Sequence, residues 1–318
     1  MNIFITGANG FVGKALSETL SKSHNVYAGV RNIHENEKKE CCNYIENISL
    51  SEDFDWYDIF RKNNVDVVIH TAARVHVMTD LSSDPLAEFS KINVSGTVNV
   101  AHCAAMSGVK RFIFISSIKV NGEYTKNNSK FTEVLDGIPT DPYGLSKYNA
   151  EMELMNISAK TGMEVVIIRP PLVYGYGVKA NFEKLLKISQ LGIPLPFGSI
   201  SNKRSFVYID NLVSFIDLCV EHHLVANEIF LVSDDNDVSI GELLHEFGNA
   251  FGYKVRLFPI PSRVLIFLLS FIGKKNIAER ICLSLQVDCS KAKRLTNWNP
   301  PVSFRQALNH MASQYQGS

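Results

Sequence analysis

The stretch ITGANGFVG, residues 5–13, places Gly7, Gly10 and Gly13 three residues apart near the start of the chain. A short apolar run of strand-forming residues precedes these glycines, and apolar residues with the spacing of one helix face follow them. The glycines therefore mark a strand-to-helix turn, where glycine permits positive φ and lets backbone amides approach a ligand closely. The helix start adds free N–H groups and a positive dipole end, so we expect phosphate binding here. The alternative is a flexible N-terminal turn.

Composition predicts a globular protein with no broad nucleic-acid-binding surface. The 318 residues are enough for two lobes, and 32 basic residues balance 32 acidic ones. The first residues carry no basic segment, so no signal peptide is predicted. Six scattered cysteines without a CxxC pair indicate reduced thiols, no metal site and a cytoplasmic location.

The most apolar run of the chain is Val264 to Leu269, followed by Phe271 and Ile272. This run has about half the length of a membrane span, so no transmembrane segment is predicted. We interpret the run as a buried helix, with peripheral membrane contact as the alternative.

Strand-like and helix-like segments alternate through the first half of the chain. This alternation predicts an α/β fold with a doubly wound parallel sheet of the Rossmann type. The predicted strands are 2–6, 25–30, 65–69, 111–116 and 163–168, and the main helices are 84–107 and 142–160. Loop-like sequence rich in Pro, Gly and aromatic residues begins near residue 170. We therefore predict a dinucleotide-binding domain at 1–169, to which 205–232 returns, and a smaller substrate lobe within 170–318.

Tyr143 and Lys147 are candidate catalytic residues at the start of a predicted helix. Asp141 is a good N-cap and Pro142 suits the first helical position, so the spacing of four places both side chains on one face. A nearby ammonium would lower the pKa of the tyrosine, which suits a general acid/base. The alternative is an ordinary exposed Tyr–Lys pair.

A strand ending in Ser116 and Ser117 supplies hydroxyl groups at the carboxyl edge of the sheet. A hydroxyl group at this edge can hold a substrate oxygen beside the tyrosine. The alternative is that the two serines simply end the strand.

Seven motifs in this order resemble the extended short-chain dehydrogenase/reductases, specifically the nucleotide-sugar 4-epimerases and 4-ketoreductases. They span most of the chain and are TGANGFVG (6–13), IHTAA (69–73), NVSGT (93–97), SSIKVNG (116–122), YGLSK (143–147), RPPLVYG (169–175) and RSFVYIDNL (204–212). The segments TAARVHVM (71–78), SSIKVNGE (116–123) and LQVDCSKA (285–292) look most like the bacterial subgroup that reduces UDP-N-acetylquinovosamine-type 4-keto sugars.

The resemblance implies a role for each matching residue. Tyr143 would be the acid/base at the sugar C4 oxygen, and Lys147 would lower its pKa and hold the nicotinamide ribose. Ser117, rather than Ser116, would bind the same oxygen, because it lies five residues before Gly122 as in the family. Asn93 matches the asparagine that supports the active-site lysine.

The resemblance also implies two ligand sites. The dinucleotide would contact Gly7, Asn9, Gly10, Phe11, Val12, Gly13, Arg31, Asn47, Ile48, Thr71, Ala72, Ala73, Tyr143, Lys147 and Pro170. The nucleotide sugar would contact Ser117, Tyr143, Asn181, Phe182, Leu195, Phe197, Arg204 and Arg280. Arg204 has an independent rationale, because a guanidinium binds phosphate through two parallel hydrogen bonds. Its alternative role is a surface salt bridge.

Four positions depart from the family pattern. Lys119 and Asn121 replace Thr and Tyr in the segment after the active-site serine, and Asn47 replaces a carboxylate near the adenine. Arg280 does not align cleanly with the second basic diphosphate ligand. These departures affect the expected sugar more than the expected reaction.

The end of the second strand bears on cofactor preference. Val30 occupies the position at which NAD-using relatives carry an acidic residue, and Arg31 follows it. Without a carboxylate there is no repulsion of a 2′-phosphate, and a guanidinium is available. This favours NADP(H) over NAD(H), unless Arg31 points into solvent.

Three functions are compatible with these residues. The first is NADPH-dependent 4-keto reduction of a UDP-6-deoxy-N-acetylhexosamine in surface polysaccharide synthesis. The second is 4-epimerisation of UDP-glucose or UDP-N-acetylglucosamine with tightly bound NAD, and the third is a catalytically idle dinucleotide sensor. Dehydration is disfavoured, because Ile118 and Lys119 stand where 4,6-dehydratases carry acidic residues. The resemblance also implies a cytoplasmic homodimer.

Overall fold

The computed structural model describes residues 1–74, 84–126, 129–178, 181–271 and 273–316. Its strands are β1 (Asn2–Thr6), β2 (Asn25–Gly29), β3 (Asn43–Ile45), β4 (Val67–His70), β5 (Arg111–Ile115), β6 (Glu164–Arg169), β7 (Leu172–Tyr174), β8 (Phe206–Tyr208) and β9 (Ile229–Leu231). Its helices are α1 (Phe11–Leu20), α2 (Tyr57–Lys62), α3 (Pro85–Phe89), α4 (Thr97–Met106), α5 (Pro142–Thr161), α6 (Asn181–Gln190), α7 (Ile209–Glu221), α8 (Ile240–Phe251), α9 (Ser262–Phe271), α10 (Lys275–Cys282), α11 (Ser290–Thr296) and α12 (Phe304–Gln316).

Seven parallel strands form the main sheet, in the order β3-β2-β1-β4-β5-β6-β9. The strand order reverses direction between β1 and β4, which pair with Ile5 opposite Ile69. In a doubly wound sheet, ligands bind beyond the carboxyl ends of the strands at such a point. The predicted fold class is therefore confirmed. The division into two lobes near residue 170 stays a prediction.

Both faces of the sheet are covered, as alternating side chains of β1 illustrate. Ile3 and Ile5 lie in one apolar cluster, whereas Phe4 lies in a second cluster with Trp56 and Phe60. The Phe4 and Phe60 rings meet edge to face, with centroids 5.2 Å apart. Successive strand side chains point to opposite faces, so two core layers hold β1 and fix the position of the glycine turn after it.

The predicted helix 84–107 contains an irregular middle. A π-helical segment, Ser90–Gly96, joins α3 to α4, and the segment places Asn93 in the protein interior. A π-helical turn inserts an extra residue and changes where side chains point, and such turns are frequent at functional sites. Hydrophobic spacing alone does not distinguish this from a continuous α-helix.

The apolar run at 264–271 forms helix α9, but the prediction that this helix is buried is wrong for one of its faces. Leu265 is 7% exposed, whereas Phe267 is 60% exposed and Phe271 is 74% exposed. Among the described residues, no helix combines the length and the apolar character needed to cross a membrane.

Candidate active site

The glycine turn after β1 has no space for side chains at Gly7 and Gly13, so a ligand could approach its backbone closely. Gly7 has φ of 68°, and a Cβ on Gly13 would lie 2.2 Å from the Gly7 carbonyl oxygen. The first helical hydrogen bond runs from Lys14 N to Gly10 O, 2.8 Å, so the amides of residues 11–13 precede it. Gly10 caps α1 without a side-chain hydrogen bond. These amides fit the diphosphate of a dinucleotide.

The start of the loop after β4 lies beside the glycine turn. Thr71 Oγ1 donates to the Thr6 carbonyl oxygen at 2.6 Å, and Ala72 lies against Gly7, where a Cβ would come 2.9 Å from Ala72 Cα. Thr71, Ala72 and Ala73 are all half-buried. The structure therefore places Thr71 and Ala72 next to the glycines, at the switch point of the sheet, and Ala73 follows them in the loop.

Two further predicted cofactor ligands, Asn9 and Pro170, are anchored at the carboxyl edge. Asn9 Nδ2 donates to the Asn32 carbonyl oxygen beyond β2, at 3.2 Å. Pro170 is buried after β6, and its carbonyl oxygen accepts from Ile118 N at 3.0 Å. This bond ties the end of β6 to the segment that follows Ser117.

The end of β2 presents an exposed cation beside a left-handed asparagine. Val30 is buried, Arg31 is exposed, and Asn47 N donates to the Arg31 carbonyl oxygen at 3.1 Å. Asn47 has φ of 61°, and Ile48 packs inward at 5% exposed. The side chains of Arg31 and Asn47 are therefore accessible at the sheet edge, whereas those of Val30 and Ile48 are not.

A small cleft lies next to this edge, between the glycine turn, α1 and the segment after β2. Its lining includes the cations Lys14 and Lys39, with Asn9 and Tyr44. The Lys39 ammonium lies 3.7 Å from the Glu18 carboxylate. Glu18 and Glu37 also line this cleft, so two carboxylates balance its two cations.

Tyr143 and Ser117 face each other beyond the end of β5. Asp141 caps α5 through its carboxylate, which accepts from Gly144 N at 2.9 Å, so Tyr143 stands on the first helical turn. Burial, with a smaller contribution from the Asp141 charge, raises the pKa of Tyr143 to about 12, and a hydrogen bond with Ser117 opposes this shift. The tyrosine is therefore a neutral phenol beside a hydroxyl group near neutral pH.

Ser116 has a different role from Ser117. Its Oγ donates to Glu151 Oε1 at 2.5 Å, and Glu151 forms a buried salt bridge with Arg169 at 2.6 Å. Sequence reasoning missed this pair, although a charged residue in each of two apolar segments was a signal. Removing one partner of such a buried pair costs about 3–5 kcal/mol of stability. Because Ser116 is hydrogen-bonded to this pair, we assign it a structural role.

Lys147 is fully enclosed one helical turn beyond Tyr143. Its ammonium donates to the Ile115 carbonyl oxygen at 2.9 Å and lies 4.4 Å from the centre of the Phe114 ring. Burial lowers the pKa of Lys147 to about 7, and the Glu151 charge opposes that shift. In this arrangement burial dominates the pKa of both groups, and the expected lowering of the Tyr143 pKa by Lys147 stays a prediction.

Asn93 supports the start of α5 through Ser146. Its Nδ2 donates to Ser146 Oγ at 3.0 Å, and Ser146 Oγ donates to the Tyr143 carbonyl oxygen at 2.8 Å. The same amide group also exchanges hydrogen bonds with the backbone of Arg74. The structure therefore links Asn93 to Tyr143 through Ser146, a residue that sequence reasoning missed although it lies within YGLSK.

His70 is a second buried polar residue that sequence reasoning missed, although the IHTAA motif contains it. Its Nδ1 lies 2.9 Å from Thr6 Oγ1, and its Nε2 lies 3.1 Å from Thr97 Oγ1. Burial, with a smaller contribution from the Lys147 charge, lowers the pKa of His70 to about 3. A neutral imidazole thus joins β1, β4 and α4 beneath the site.

Lys147 makes stability depend on pH in a window that can be measured. Lysine titrates near about 10.4 in unfolded chains, whereas the folded value here is about 7. Between these values the unfolded chain binds more protons, so the free energy of unfolding rises with pH. We expect Tm to rise between about pH 7 and about pH 8.5, and Lys147→Met to flatten that rise.

The comparison variant for this pH test is Lys14→Met, which removes an exposed ammonium of α1. The rise in stability that neutral His70 causes lies lower, between its folded value of about 3 and its ordinary value of 6.5. Lys147→Met should leave this lower rise in place. An unchanged slope above pH 7 in Lys147→Met would contradict the lowered pKa.

Two arginines meet where the resemblance implies a diphosphate. Arg204 Nη1 donates to the carbonyl oxygens of Arg280 at 2.9 Å and Leu283 at 3.0 Å. Burial lowers the pKa of Arg204 to about 10, and the neighbouring Arg280 charge adds to that shift. Arg280, which the motif left unaligned, therefore lies beside Arg204, and the two cations fit an anionic ligand.

Ion pairs through Glu123 and Lys119 connect Arg280 to the start of α5. The Glu123 carboxylate pairs with Lys119, and Arg280 Nη2 lies 3.6 Å from Glu123 Oε1. Lys119 Nζ is also 3.5 Å from Asp141 Oδ1. Lys119 thus connects the segment after Ser117 to the N-cap of α5. Asn121 fixes a loop, because its Nδ2 donates to the Thr132 carbonyl oxygen at 2.7 Å.

Phe182, a predicted substrate contact, packs in the protein interior. Phe182 is 1% exposed and stacks on Tyr174 with ring centroids 5.1 Å apart. An aromatic core encloses the Phe182 side chain, so the predicted contact of Phe182 with the nucleotide stays a prediction for its main-chain groups.

The segment expected to hold the uracil ring is only partly accessible. Leu195 is 5% exposed, and its main-chain groups pair with Arg256 O and Phe258 N, both at 2.9 Å. Phe197 is half-buried and remains a candidate contact. Asn181 begins α6, but its side chain lies outside the described residues, as do residues 75–78 of the subgroup pattern.

The sheet, the glycine turn and the Tyr143–Ser117 pair together define a class of protein. A doubly wound parallel sheet carries a glycine cradle for a diphosphate at its switch point. A tyrosine and a serine lie at the same carboxyl edge, one strand away. This combination defines a dinucleotide-binding fold of the extended short-chain dehydrogenase/reductase type.

The family then follows from the sequence match. The model of the NAD dependent epimerase/dehydratase family matches residues 3–233. The chain belongs to this family and is one of its enzymes.

Relatives and solved structures agree with this assignment. UDP-glucose 4-epimerase of Vibrio cholerae is 43% identical over 317 residues, which cover 99% of this chain and 95% of the relative. N-acetyl-alpha-D-glucosaminyl-diphospho-ditrans,octacis-undecaprenol 4-epimerase of Escherichia coli O157:H7 is 30% identical over 323 residues, covering 97% of this chain and 93% of the relative. The Thermus thermophilus UDP-glucose 4-epimerase structure with NAD has a TM-score of 0.79 at 18% identity and covers 100% of both chains.

Proposed function

We propose that this enzyme is a nucleotide-sugar 4-epimerase that inverts C4 of a UDP-linked hexose or N-acetylhexosamine. The observation that carries this proposal is the pairing of Tyr143 with Ser117 at the carboxyl edge of a dinucleotide-binding sheet. The 43% identity to a UDP-glucose 4-epimerase along nearly the whole chain supports the epimerase over the 4-ketoreductase that the sequence first favoured.

The cofactor site fits NAD mainly through the backbone amides of the protein, and side chains contribute less. The cradle at Gly7 and Gly13 has no room for a Cβ, and the amides of residues 11–13 can bind a diphosphate. When bound, NAD supplies the capacity to take hydride from C4 and return it to the other face of the sugar. Thr71, Ala72 and Pro170 would hold it at the edge of the sheet.

The chain's own groups handle the proton and the substrate. Ser117 donates a hydrogen bond to the C4 oxygen, and Tyr143 removes the proton from that oxygen and later restores it. Because burial raises the pKa of Tyr143 to about 12, proton removal requires positive charge close to the phenol in the complex. Lys147, one helical turn away, is the lysine positioned to contribute this charge, while Arg204 and Arg280 bind the substrate diphosphate.

The test is epimerisation without added cofactor. Purified protein should convert UDP-glucose to UDP-galactose, or UDP-N-acetylglucosamine to its C4 epimer, to an equilibrium mixture measured by anion-exchange chromatography. Dinucleotide released by denaturing the same sample should be NAD. Oxidation of added NADPH by a UDP-linked 4-keto-6-deoxy-N-acetylhexosamine, with no epimerisation of either substrate, would contradict the proposal.

A second candidate, the NADPH-dependent 4-ketoreductase, is favoured by one specific feature. No carboxylate stands at Val30, and Arg31 is exposed at the sheet edge. An exposed guanidinium suits the 2′-phosphate of NADP(H). A reductase releases its oxidised cofactor after each turnover, so it needs exchange with the NADPH pool rather than permanent binding.

Replacement of Arg31 tests the cofactor preference directly. We expect Arg31→Asn to lower the affinity for NADPH relative to NADH, because the change removes the guanidinium available to the 2′-phosphate. The affinities are measured by titrating nicotinamide fluorescence. The matched control is Arg61→Asn, which removes an exposed arginine from α2. An unchanged NADPH/NADH ratio would mean that Arg31 does not contact the 2′-phosphate.

A further inference from the structure

Helix α9 presents a continuous apolar stripe to solvent. Val264, Phe267, Leu268 and Phe271 are 45%, 60%, 52% and 74% exposed, and their spacing places them on one face of the helix. The Phe267 and Phe271 rings touch edge to face, with centroids 4.8 Å apart. We define these four residues as the α9 stripe. A single exposed apolar residue needs no explanation, but a contiguous stripe marks an interaction surface.

The opposite side of α9 anchors the helix to the protein. Leu265 is buried, and Ile266 and Leu269 pack against the main apolar cluster. Helix α10 packs along α9 as well. The inward face of α9 therefore anchors the helix to the core. The outward stripe is available to bind a partner surface.

The sequence segment that carries the stripe is rich in cations. Between Glu246 and Glu279 the sequence contains no acidic residue, and its five cations are Lys254, Arg256, Arg263, Lys274 and Lys275. Arg263 and Lys274, at the two ends of α9, are exposed. Neither takes part in an ion pair with any carboxylate among the described residues. An occupant with negative charge beside apolar surface would complement this segment.

The stripe is connected to the candidate substrate site through α10. Helix α10, which packs on α9, carries Arg280, and the Arg280 carbonyl oxygen accepts from Arg204. A surface that docks through α9 therefore lies next to the helix that carries Arg280, a candidate diphosphate-binding residue.

We propose that the α9 stripe docks on the surface of an anionic phospholipid bilayer. The apolar side chains enter the interfacial region, and Arg263 and Lys274 contact the phosphate groups of the lipids. The helix has 10 residues, about half a span, so it lies in the plane of the interface. This proposal goes beyond the epimerase and holds for either candidate reaction.

Charge favours a membrane over a second copy of the chain. A two-fold interface formed by α9 would bring each stripe against its equivalent and would set cations of one protomer against the same cations of the other. The segment offers no carboxylate to compensate. An anionic bilayer supplies both the apolar phase and the opposite charge.

Flotation with lipid vesicles tests the proposal on the intact protein. We expect it to float with vesicles of phosphatidylcholine and phosphatidylglycerol (3:1) at low salt, and to bind pure phosphatidylcholine or vesicles in 1 M salt at least about tenfold less. Phe267→Glu with Phe271→Glu should lower the floated fraction about tenfold or more. Leu224→Glu, at an apolar position that is 48% exposed elsewhere, should float like the wild type.

Two further measurements keep the result interpretable. Phe267→Trp should show a blue shift of its emission on anionic vesicles, relative to the wild-type protein, because the indole leaves water. The double variant should keep the wild-type Tm and the wild-type turnover of soluble substrate, since the stripe lies outside the catalytic groups. These readouts do not depend on which reaction the enzyme catalyses.

Three outcomes would overturn the proposal. The first is a wild-type protein that does not float with anionic vesicles, and the second is a double variant that floats equally well. The third is sedimentation showing a wild-type dimer that the double variant loses, without vesicle binding. That result would assign the stripe to self-association.

Discussion

Tyr143→Phe is expected to reduce the turnover number about hundredfold or more, the usual effect of removing a positioned acid/base. The ring should keep its place, because it packs edge to face on Phe89 with centroids 5.9 Å apart and stands on a turn capped by Asp141. Turnover is measured as epimerisation of UDP-glucose or UDP-N-acetylglucosamine, and dinucleotide affinity is measured on the same sample.

The control for this change is Tyr148→Phe, which removes a second hydroxyl group from the same helix. It should retain turnover, and both variants should retain the wild-type Tm and dinucleotide affinity. A near-normal turnover number in folded Tyr143→Phe would remove this tyrosine from the chemistry, whereas a lost fold would be visible in Tm.

Gly13→Ala is expected to weaken dinucleotide binding about tenfold or more. The added Cβ would lie 2.2 Å from the Gly7 carbonyl oxygen and 2.9 Å from Ala8 Cα, so the backbone of the cradle must move. A lost phosphate hydrogen bond costs about 1.5–3 kcal/mol, which is more than tenfold in affinity. The strain should also destabilise the fold by about 1–3 kcal/mol.

The matched control for the cradle is Gly137→Ala, where no atom lies within 4 Å of the added Cβ. This variant should retain both dinucleotide affinity and Tm. Affinity is measured by calorimetric titration with NAD. If Gly13→Ala binds NAD as tightly as the wild-type protein, the cradle is not the dinucleotide site.

The sheet could be predicted because its signals are local. β1 and β5 end within one residue of the predicted bounds, and Asp141 with Pro142 correctly marks the start of α5. Each of these elements depends on a run of apolar residues or on a cap that a few neighbouring residues specify. Local signals also placed Tyr143 and Ser117 at one edge, because carboxyl ends of parallel strands share an edge.

Features that depend on distant contacts could not be predicted. The π-helical segment around Asn93 has the same apolar spacing as an α-helix. The burial of Phe182 depends on aromatic partners that include Tyr174 and Phe247. The raised pKa of Tyr143 reflects enclosure rather than its spacing from Lys147. In each case tertiary packing, absent from any local window, decides the outcome.

The α9 stripe is a case in which the sequence predicted burial and the structure shows exposure. Its sequence is apolar on every side, and a helix of this kind in a globular protein is ordinarily buried. The structure buries Leu265 but leaves Phe267 and Phe271 outside. Composition alone therefore does not distinguish a core helix from a surface helix that lacks its partner.

The central claim, reversible hydride removal at C4 with proton transfer by Tyr143, is tested most directly by an isotope. UDP-glucose or UDP-N-acetylglucosamine carrying deuterium at C4 is incubated with the protein, unlabelled solvent and unlabelled NADPH, and the epimer is analysed by NMR. The proposed mechanism predicts an epimer that retains deuterium at C4, because the same bound dinucleotide returns it. An epimer with protium at C4, from solvent or from the added NADPH, would contradict the mechanism.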